Sequence, residues 1–221
     1  SYGLETSFFR FYNKEKSKKD VLNTAAVSIL ISSFLFASIF SIFKINISNF
    51  TGISTGYLSV IVWILVVDAL TVIPFAYLRL KGSAIKYSVV KIVNVTIYFS
   101  LNIFLLIFLK DLIYSYEIFE SIYVENYEVA YIFIANLIAS ISSLLLLLPF
   151  YFEINYKANI ELLKRMLAYG FPILISGLAF TVNETFDKIL LDFLLPASIA
   201  KTQIGMYAAC YKLAIFMTLF S

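Results

Sequence analysis

The sequence contains no histidine, only one cysteine and few charged residues. Without histidine the chain lacks the commonest acid–base group and metal ligand, and we expect neither a metal site nor a cofactor. The lone Cys210 excludes an internal disulfide. Charged residues make up 14% of the chain, whereas a soluble domain carries about 25%. The net charge of +3 gives no reason to expect nucleic-acid binding.

Apolar residues dominate instead, at 61% of the chain and a mean hydropathy of +0.89. Their runs approach the ~20 residues that an α-helix needs to cross ~30 Å of hydrocarbon. The sequence therefore predicts an all-α, polytopic membrane protein with about seven spans, the first and last partial. These spans are predicted at residues 1–11, 21–43, 56–80, 87–109, 128–151, 166–195 and 205–221.

Loop lengths and chain ends complete this prediction. We expect loops at residues 12–20, 44–55, 79–86, 110–127 and 196–204, and an amphipathic connector over 152–164 whose short helix covers 159–167. The chain has no starting methionine and ends inside an apolar run. We therefore expect a fragment of a longer protein.

The distribution of lysine and arginine predicts the orientation. Twelve of the 17 basic residues fall on the side of loop 12–20, three on the opposite side and two within spans. Because cytoplasmic loops carry the excess of basic residues, loop 12–20 is predicted to be cytoplasmic. The acidic loop 110–127 is then predicted to lie outside.

Charged residues are concentrated in the sixth predicted span. Glu184, Asp187, Lys188 and Asp192 occur before its apolar pattern ends, although each such charge costs roughly 2.5–3.5 kcal/mol on insertion scales. Lys212 in the next span matches Glu184 in depth, which makes it a candidate partner. Two interpretations stay open: the charges neutralise one another, or they line a hydrated binding wall.

Other intramembrane polar residues allow similar alternatives. Asp68 lies about 18 Å from the cytoplasmic end of its span, and the antiparallel next span presents a polar stripe of Lys91, Asn94, Tyr98 and Asn102. Asp68 is expected to meet Asn94 or Tyr98, either as a structural lock or as a proton- or cation-responsive carboxylate.

Two charges in the first span are harder to interpret. Glu5 lies deep in the span, and Arg10, five residues further on, does not share its helix face. Arg10 either extends to the cytoplasmic surface or belongs to a binding site.

Four segments resemble a known family. YGLETSFFRF at 2–11, DALTVIPFAYLRLKG at 68–82, the helix at 169–196 and GMYAACYKLAIFM at 205–217 are similar to helices of bacterial polysaccharide-biosynthesis membrane proteins. These are the oligosaccharide (Wzx-type) flippases of the multidrug/oligosaccharidyl-lipid/polysaccharide (MOP) exporter superfamily, which also contains MATE-like transporters.

The resemblance implies a transporter of two lobes with six or more helices each. Residues 1–151 would supply the end of helix 2 and helices 3–6 of the N-terminal lobe, and 152–165 the amphipathic inter-lobe linker. Residues 166–221 would supply helix 7 and the start of helix 8 of the C-terminal lobe. Gly170, Pro172 and Gly177 would let helix 7 bend.

The resemblance also implies roles for charged residues. Glu184, Asp187, Lys188 and Lys212 would line the central cavity. Arg10, Lys188 and Lys212 would meet the diphosphate of a polyprenyl-linked glycan. Asp68, Glu184 and Asp187 would couple the cycle to H⁺ or Na⁺.

The function implied is transport without bond chemistry. A lipid-linked oligosaccharide would be moved across the bacterial cytoplasmic (inner) membrane by alternating access, for O-antigen, lipopolysaccharide or related surface polysaccharide biosynthesis. Its partners would be that substrate, H⁺ or Na⁺, and membrane lipids. The alternatives are a multidrug/cation antiporter of the same superfamily and, further off, a membrane glycan polymerase or ligase.

Overall fold

The computed structural model describes residues 3–109 and 127–217, and these residues form seven α-helices without any strand. The helices are α1 Leu4–Lys14, α2 Lys18–Thr51, α3 Thr55–Leu80, α4 Ala84–Ile103, α5 Glu128–Phe152, α6 Ile160–Leu194 and α7 Ala197–Met217. A π-helical turn, Phe104–Phe108, extends α4. Nearly all of the predicted acidic loop 110–127 lies outside the described residues.

Five of these helices are long and apolar enough to cross a membrane: α2, α3, α4 with its π-helical turn, α5 and α6. The shortest has 25 residues, which at ~1.5 Å per residue exceeds the ~30 Å of a hydrocarbon core. The prediction of an all-helical, multi-pass membrane protein is therefore confirmed. Helices α1 and α7, predicted as partial spans, are not among the five.

Two predicted loops are helical in the structure. Helix α2 continues through most of the predicted loop 44–55 as far as Thr51, because apolar residues continue there, and it ends where Gly52 adopts φ 70°. Glycine takes this left-handed conformation without steric penalty and commonly ends helices. Likewise most of the predicted loop 196–204 forms the first turns of α7, directly after Pro196, since proline favours helix starts.

The predicted short amphipathic helix at 159–167 is not a separate element. Helix α6 runs without interruption for 35 residues from Ile160, so this segment forms its first two turns. The Asn159 side chain accepts a hydrogen bond of 3.1 Å from the backbone N–H of Leu162. This is an N-cap, which satisfies an otherwise unpaired donor at the helix start.

The connector between α5 and α6 is held by two buried polar residues of α2. The backbone N–H of Asn155 donates to Asn23 Oδ1 at 3.2 Å. The backbone N–H of Asn159 donates to Thr24 Oγ1 at 3.0 Å. Because irregular backbone near a membrane needs such partners, these contacts determine where the connector lies.

The best-buried core joins α1, α2, α3 and the start of α6. Its members include Leu4, Phe8, Val21, Ala25, Ile29, Ile73 and Met166. Lipid chains are as apolar as leucine, so close packing and hydrogen bonds, rather than the hydrophobic effect, hold membrane helices together.

Small residues provide that close packing between α1 and α6. A Cβ on Gly3 would lie 2.3 Å from the Gly170 carbonyl oxygen, so the two backbones touch. Between them the buried Ser7 hydroxyl donates to the Met166 carbonyl at 2.8 Å. Glycine and serine one turn apart permit such an approach in other membrane helices too.

Pro74 is tolerated within α3 because another helix satisfies the carbonyl that it frees. Proline has no N–H, so the Leu70 carbonyl four residues earlier loses its helical partner. The Tyr151 hydroxyl of α5 donates to that carbonyl. A proline and a tyrosine thus join α3 to α5.

The chain divides into two compact units, Ser1–Gly170 and Phe171–Ser221. The division falls inside α6, next to Pro172. The first unit contains the core just described, and the second contains the remainder of α6 together with α7.

Candidate functional site

A polar cavity of about 360 Å³ lies within the first unit, between α1, α3, α4 and α5. Four charged side chains line it, together with uncharged polar groups from three helices. The charged residues are Glu5, Asp68, Arg79 and Lys91, and the uncharged polar ones are Thr71, Tyr87, Asn94, Asn136, Ser140 and Ser143. All of the helices but α1 are candidate membrane spans, so the cavity provides a polar environment inside an apolar bundle.

An ion pair joins the walls formed by α1 and α3. Arg79 in the last turn of α3 donates to the carboxylate of Glu5. The Arg79 guanidinium also lies 5.0 Å from the Phe9 ring centroid and 5.6 Å from that of Tyr87. Both partners remain partly accessible, with side-chain exposures of 44% and 33%. The ion pair explains why a charged residue is tolerated at the position of Glu5, which the sequence alone left unexplained.

Lys91 projects from α4 toward α3. Its ammonium lies 4.3 Å from the Phe75 ring centroid, within the range of a cation–π interaction. Phe75 is buried and lines the same cavity. On the cavity wall, Lys91 therefore contacts an aromatic face rather than a carboxylate of the described residues.

Asp68 has a different environment. Its backbone carbonyl accepts from the Thr71 hydroxyl at 2.8 Å, but its exposed carboxylate forms no ion pair within the described part of the chain. Asp68 and Asn94 line the same cavity, yet the Asn94 amide donates to Ser143 at 2.9 Å. Asn94 therefore forms a hydrogen bond between α4 and α5 instead of meeting Asp68. The Asp68 side chain lines the cavity.

The other expected partner of Asp68 lies elsewhere. Tyr98, although on the same polar stripe, does not line the cavity and is 36% exposed. Asn102, the last member of the stripe, donates to the Tyr98 carbonyl at 2.7 Å. Only Lys91 and Asn94 of the stripe reach the cavity.

The second unit contains the charged part of α6 and its contacts with α7. Asp187 accepts a hydrogen bond of 2.9 Å from the Tyr207 hydroxyl. The Lys188 ammonium lies 5.3 Å from the Tyr211 ring centroid. The rings of Tyr207 and Tyr211 stack with their centroids 6.2 Å apart. These two tyrosines of α7, one turn apart, thus contact one acidic and one basic residue of α6.

Two residues proposed as partners in this unit do not pair. Among the described side chains, Glu184 and Lys212 form no ion pair with each other. Glu184 is half-buried and Lys212 is exposed. The rise per residue gave Glu184 and Lys212 the same depth, but it does not say which way each side chain points around the axis of its helix.

Arg10 lies outside the cavity. Its guanidinium is 4.1 Å from the Tyr169 ring centroid, and Tyr169 belongs to α6. The Arg10 side chain is exposed. The structure thus gives Arg10 a cation–π contact between helices, while its role toward a substrate stays a prediction.

The three residues predicted as a hinge have different surroundings. Gly170 is buried against Gly3 and Ser7, whereas a Cβ on Gly177 would meet no atom within 4 Å. Pro172 lies inside α6, which is helical on both sides of it. Gly170 therefore has a packing reason to be glycine, and bending at Pro172 or Gly177 stays a prediction.

The α5 contribution to the cavity was missed in the sequence. Asn136, Ser140 and Ser143 recur at steps of four and three, which places them on one helix face. This spacing was a readable signal inside an otherwise apolar span. Serine in a membrane helix is common, however, since its hydroxyl can bond the preceding turn, as Ser143 does with the Ala139 carbonyl at 3.2 Å.

No family model, curated protein or solved structure matches this chain. The function is therefore inferred from the residues and from the geometry of the cavity.

Proposed function

We propose that this chain is part of a flippase that moves a polyprenyl-diphosphate-linked oligosaccharide across a bacterial cytoplasmic membrane. The observation that supports the proposal is the polar cavity with Glu5, Asp68, Arg79 and Lys91 on its walls. A charge such as that of Asp68, about 18 Å from the cytoplasmic end of its span, is expensive, and in membrane proteins intramembrane charges characteristically mark substrate or ion pathways. A sugar headgroup needs a polar path, while its lipid chain remains in the bilayer.

Alternating access is the mechanism we propose. The polar headgroup enters from the cytoplasmic side, and the two lobes of the MOP-type fold then expose it to the outside. Residues 152–165 serve as the inter-lobe linker, and Gly170, Pro172 and Gly177 provide the bend. Such a cycle needs two states that differ by only a few kcal/mol.

Ion coupling is assigned to acidic residues. Asp68 supports this role because its carboxylate lines the cavity without an ion-pair partner among the described residues. Glu184 and Asp187 are the candidates in the second unit. Arg10, Lys188 and Lys212 are proposed to meet the diphosphate. Binding of H⁺ or Na⁺ would then drive the change of state.

A transport assay tests the proposal directly. The protein is reconstituted in liposomes that contain a fluorescent polyprenyl-diphosphate oligosaccharide in both leaflets, and a membrane-impermeant reductant is added outside. A flippase makes the inner-leaflet fluorophores accessible, so the signal falls beyond the level reached in empty liposomes. Equal loss from both kinds of liposome would exclude flipping.

A multidrug/cation antiporter is the second candidate. Aromatic rings and acids together suit organic cations, and Phe75, Tyr87, Glu5 and Asp68 line one cavity. Deletion of the gene separates the two functions: loss of surface glycan supports the flippase, whereas increased sensitivity to cationic drugs with normal glycan supports the antiporter.

A further inference from the structure

A second cavity, of about 350 Å³, lies between α3, α4 and α5 at the end of the bundle where α3 turns into α4. Its polar groups are confined to that end: Lys81, Ser83, Lys86 and Glu153 all lie in or next to a connection. Deeper along the same helices the lining is apolar. The cavity is therefore polar at one end and hydrocarbon-like along its length.

The apolar part runs at least two helical turns into the bundle. Pro74 lies in α3, seven residues before Lys81, which directly follows the helix; this is about 10 Å along the axis. Val90 and Leu147 are buried members of the wall, whereas Leu146 is 49% exposed. The groove is thus accessible from the outer face of the bundle, where lipid chains lie in a membrane.

The polar end carries a net positive charge. Two lysines, Lys81 and Lys86, face one carboxylate, Glu153, and within the described part of the chain neither lysine belongs to an ion pair. The Lys81 ammonium lies 4.5 Å from the Tyr77 ring centroid. Lysine is charged at neutral pH, and a side-chain hydrogen bond with Tyr77 raises the pKa of Lys81 further.

The charge and shape fit one class of molecule. Basic pockets between membrane helices on the cytoplasmic side bind the headgroups of anionic lipids, and the loop charges predict that this end is cytoplasmic. A free phosphate would use only the lysines and leave the apolar groove empty. A zwitterionic lipid would match the groove but would gain less from two ammonium groups.

We propose that this cavity binds an anionic phospholipid of the phosphatidylglycerol or cardiolipin class. Lys81 and Lys86 hold the phosphate, the Ser83 hydroxyl is available to donate to it, and one acyl chain lies along Val90 and Leu147. The proposal does not depend on transport, since it concerns a site separate from the polar cavity.

The test is native mass spectrometry of the purified protein titrated with dioleoylphosphatidylglycerol. The double variant Lys81→Gln/Lys86→Gln is expected to weaken binding by about fivefold for each lysine removed. Arginine at both positions keeps the charge and should keep the binding. Leu146→Trp should also weaken binding, because its indole fills the groove while both lysines remain.

A matched control separates this site from general attraction to anionic lipid. Lys16→Gln/Lys19→Gln removes the same charge at the same end of the bundle but outside the cavity, and should leave binding unchanged. Equal weakening by both double variants would overturn the proposal. So would equal affinity for dioleoylphosphatidylcholine, displacement by millimolar inorganic phosphate, or no effect of Leu146→Trp.

Discussion

A single proline explains why one tyrosine lies where it does. Pro74 frees the Leu70 carbonyl, and Tyr151 donates its hydroxyl to that oxygen from a neighbouring helix. In hydrocarbon an unpaired backbone carbonyl costs several kcal/mol, so the proline requires such a partner. Leu70 and Tyr151 lie 81 positions apart in sequence, and only packing brings them together.

This pairing predicts a double-mutant cycle. Tyr151→Phe should lower the free energy of unfolding by about 1–3 kcal/mol, because the buried carbonyl loses its donor. In a Pro74→Ala background the loss should vanish, since the alanine supplies its own backbone N–H to the Leu70 carbonyl. Reversible unfolding in mixed detergent measures both values.

The control for this cycle is Tyr156→Phe. The Tyr156 hydroxyl donates to a backbone carbonyl as well, but the residue is 64% exposed and no proline depends on it. Equal cost of Tyr151→Phe with and without Pro74 would contradict the assignment.

Asp68 is the residue on which the proposed ion coupling depends most directly. Asp68→Asn keeps the shape of the side chain and removes its charge, so the free energy of unfolding should change by less than about 0.5 kcal/mol. Glycan export should nevertheless stop, because the amide cannot bind and release a proton. Surface glycan display in a complemented deletion strain measures export.

Two further variants sharpen that prediction. Glu184→Gln should have the same effect if both units take part in coupling. Asp192→Asn makes an identical chemical change at an exposed position of α6 and should leave export normal. Normal display with Asp68→Asn would remove Asp68 from the mechanism.

Helices α1 and α6 approach each other closely at two glycines, and no other described glycine has a neighbour as near. This approach depends on residues without bulk: Gly3, Ser7 and Gly170. Because the backbones touch, there is no room for even one added methyl group. A methyl group on Gly3 would meet the Gly170 backbone, and one on Gly170 would meet the Ser7 hydroxyl and the Gly3 backbone.

Gly170→Ala should therefore destabilise the protein by about 1–3 kcal/mol, the range for overpacking a tight interface. The added Cβ would lie 2.8 Å from the Ser7 hydroxyl oxygen and 3.2 Å from Gly3 backbone atoms. Thermal unfolding monitored by circular dichroism provides the measurement.

Gly177→Ala is the matched substitution in the same helix. It meets open space and improves helix propensity, so it should be neutral or stabilise by about 0.5–1 kcal/mol. Similar destabilisation by both substitutions would show that helix propensity or insertion, rather than the α1 contact, determines the effect.

For the whole molecule, the alternation of helices and the loop charges together predict the topology. The turn between α2 and α3 contains Ser54, and the connector between α5 and α6 contains Lys157; both residues are exposed. The basic residues predict that the connector lies in the cytoplasm and the turn outside.

Single-cysteine labelling checks this topology. In a Cys210→Ser background, a membrane-impermeant maleimide should label the Ser54→Cys variant in intact cells. It should label the Lys157→Cys variant only after permeabilisation, because the membrane excludes the reagent from the cytoplasm. The reverse pattern would invert the orientation, and labelling of both variants in intact cells would contradict the arrangement of spans.

Much of the fold was predictable because helix formation in a membrane is a local matter. Helices such as α3 and α5 begin and end within a residue of their predicted bounds, and a polar residue, Lys81 or Glu153, follows each of them. The predicted loop 44–55 was wrong because its polar residues were taken to end the helix, although the Thr51 hydroxyl donates to the Ile47 carbonyl of the same helix at 2.8 Å.

The candidate site was predictable only in part. Asp68 and the stripe that includes Lys91 and Asn94 were recognised as intramembrane polar residues, and the cavity contains all three. Glu5 with Arg79, and the α5 stripe at Asn136, were not assigned to it. Their contacts depend on which helices are neighbours and on how each is rotated, and neither follows from hydropathy.

By itself, the sequence determined that the chain is helical, apolar and long enough to cross a membrane several times, because apolar length is a property of each segment alone. The tertiary structure decided which polar residues share a cavity and which serve packing. Small residues such as Gly3 and Gly170 set how closely α1 and α6 approach. The packing of α1 beside α3 joins Glu5 and Arg79, 74 positions apart, in one ion pair.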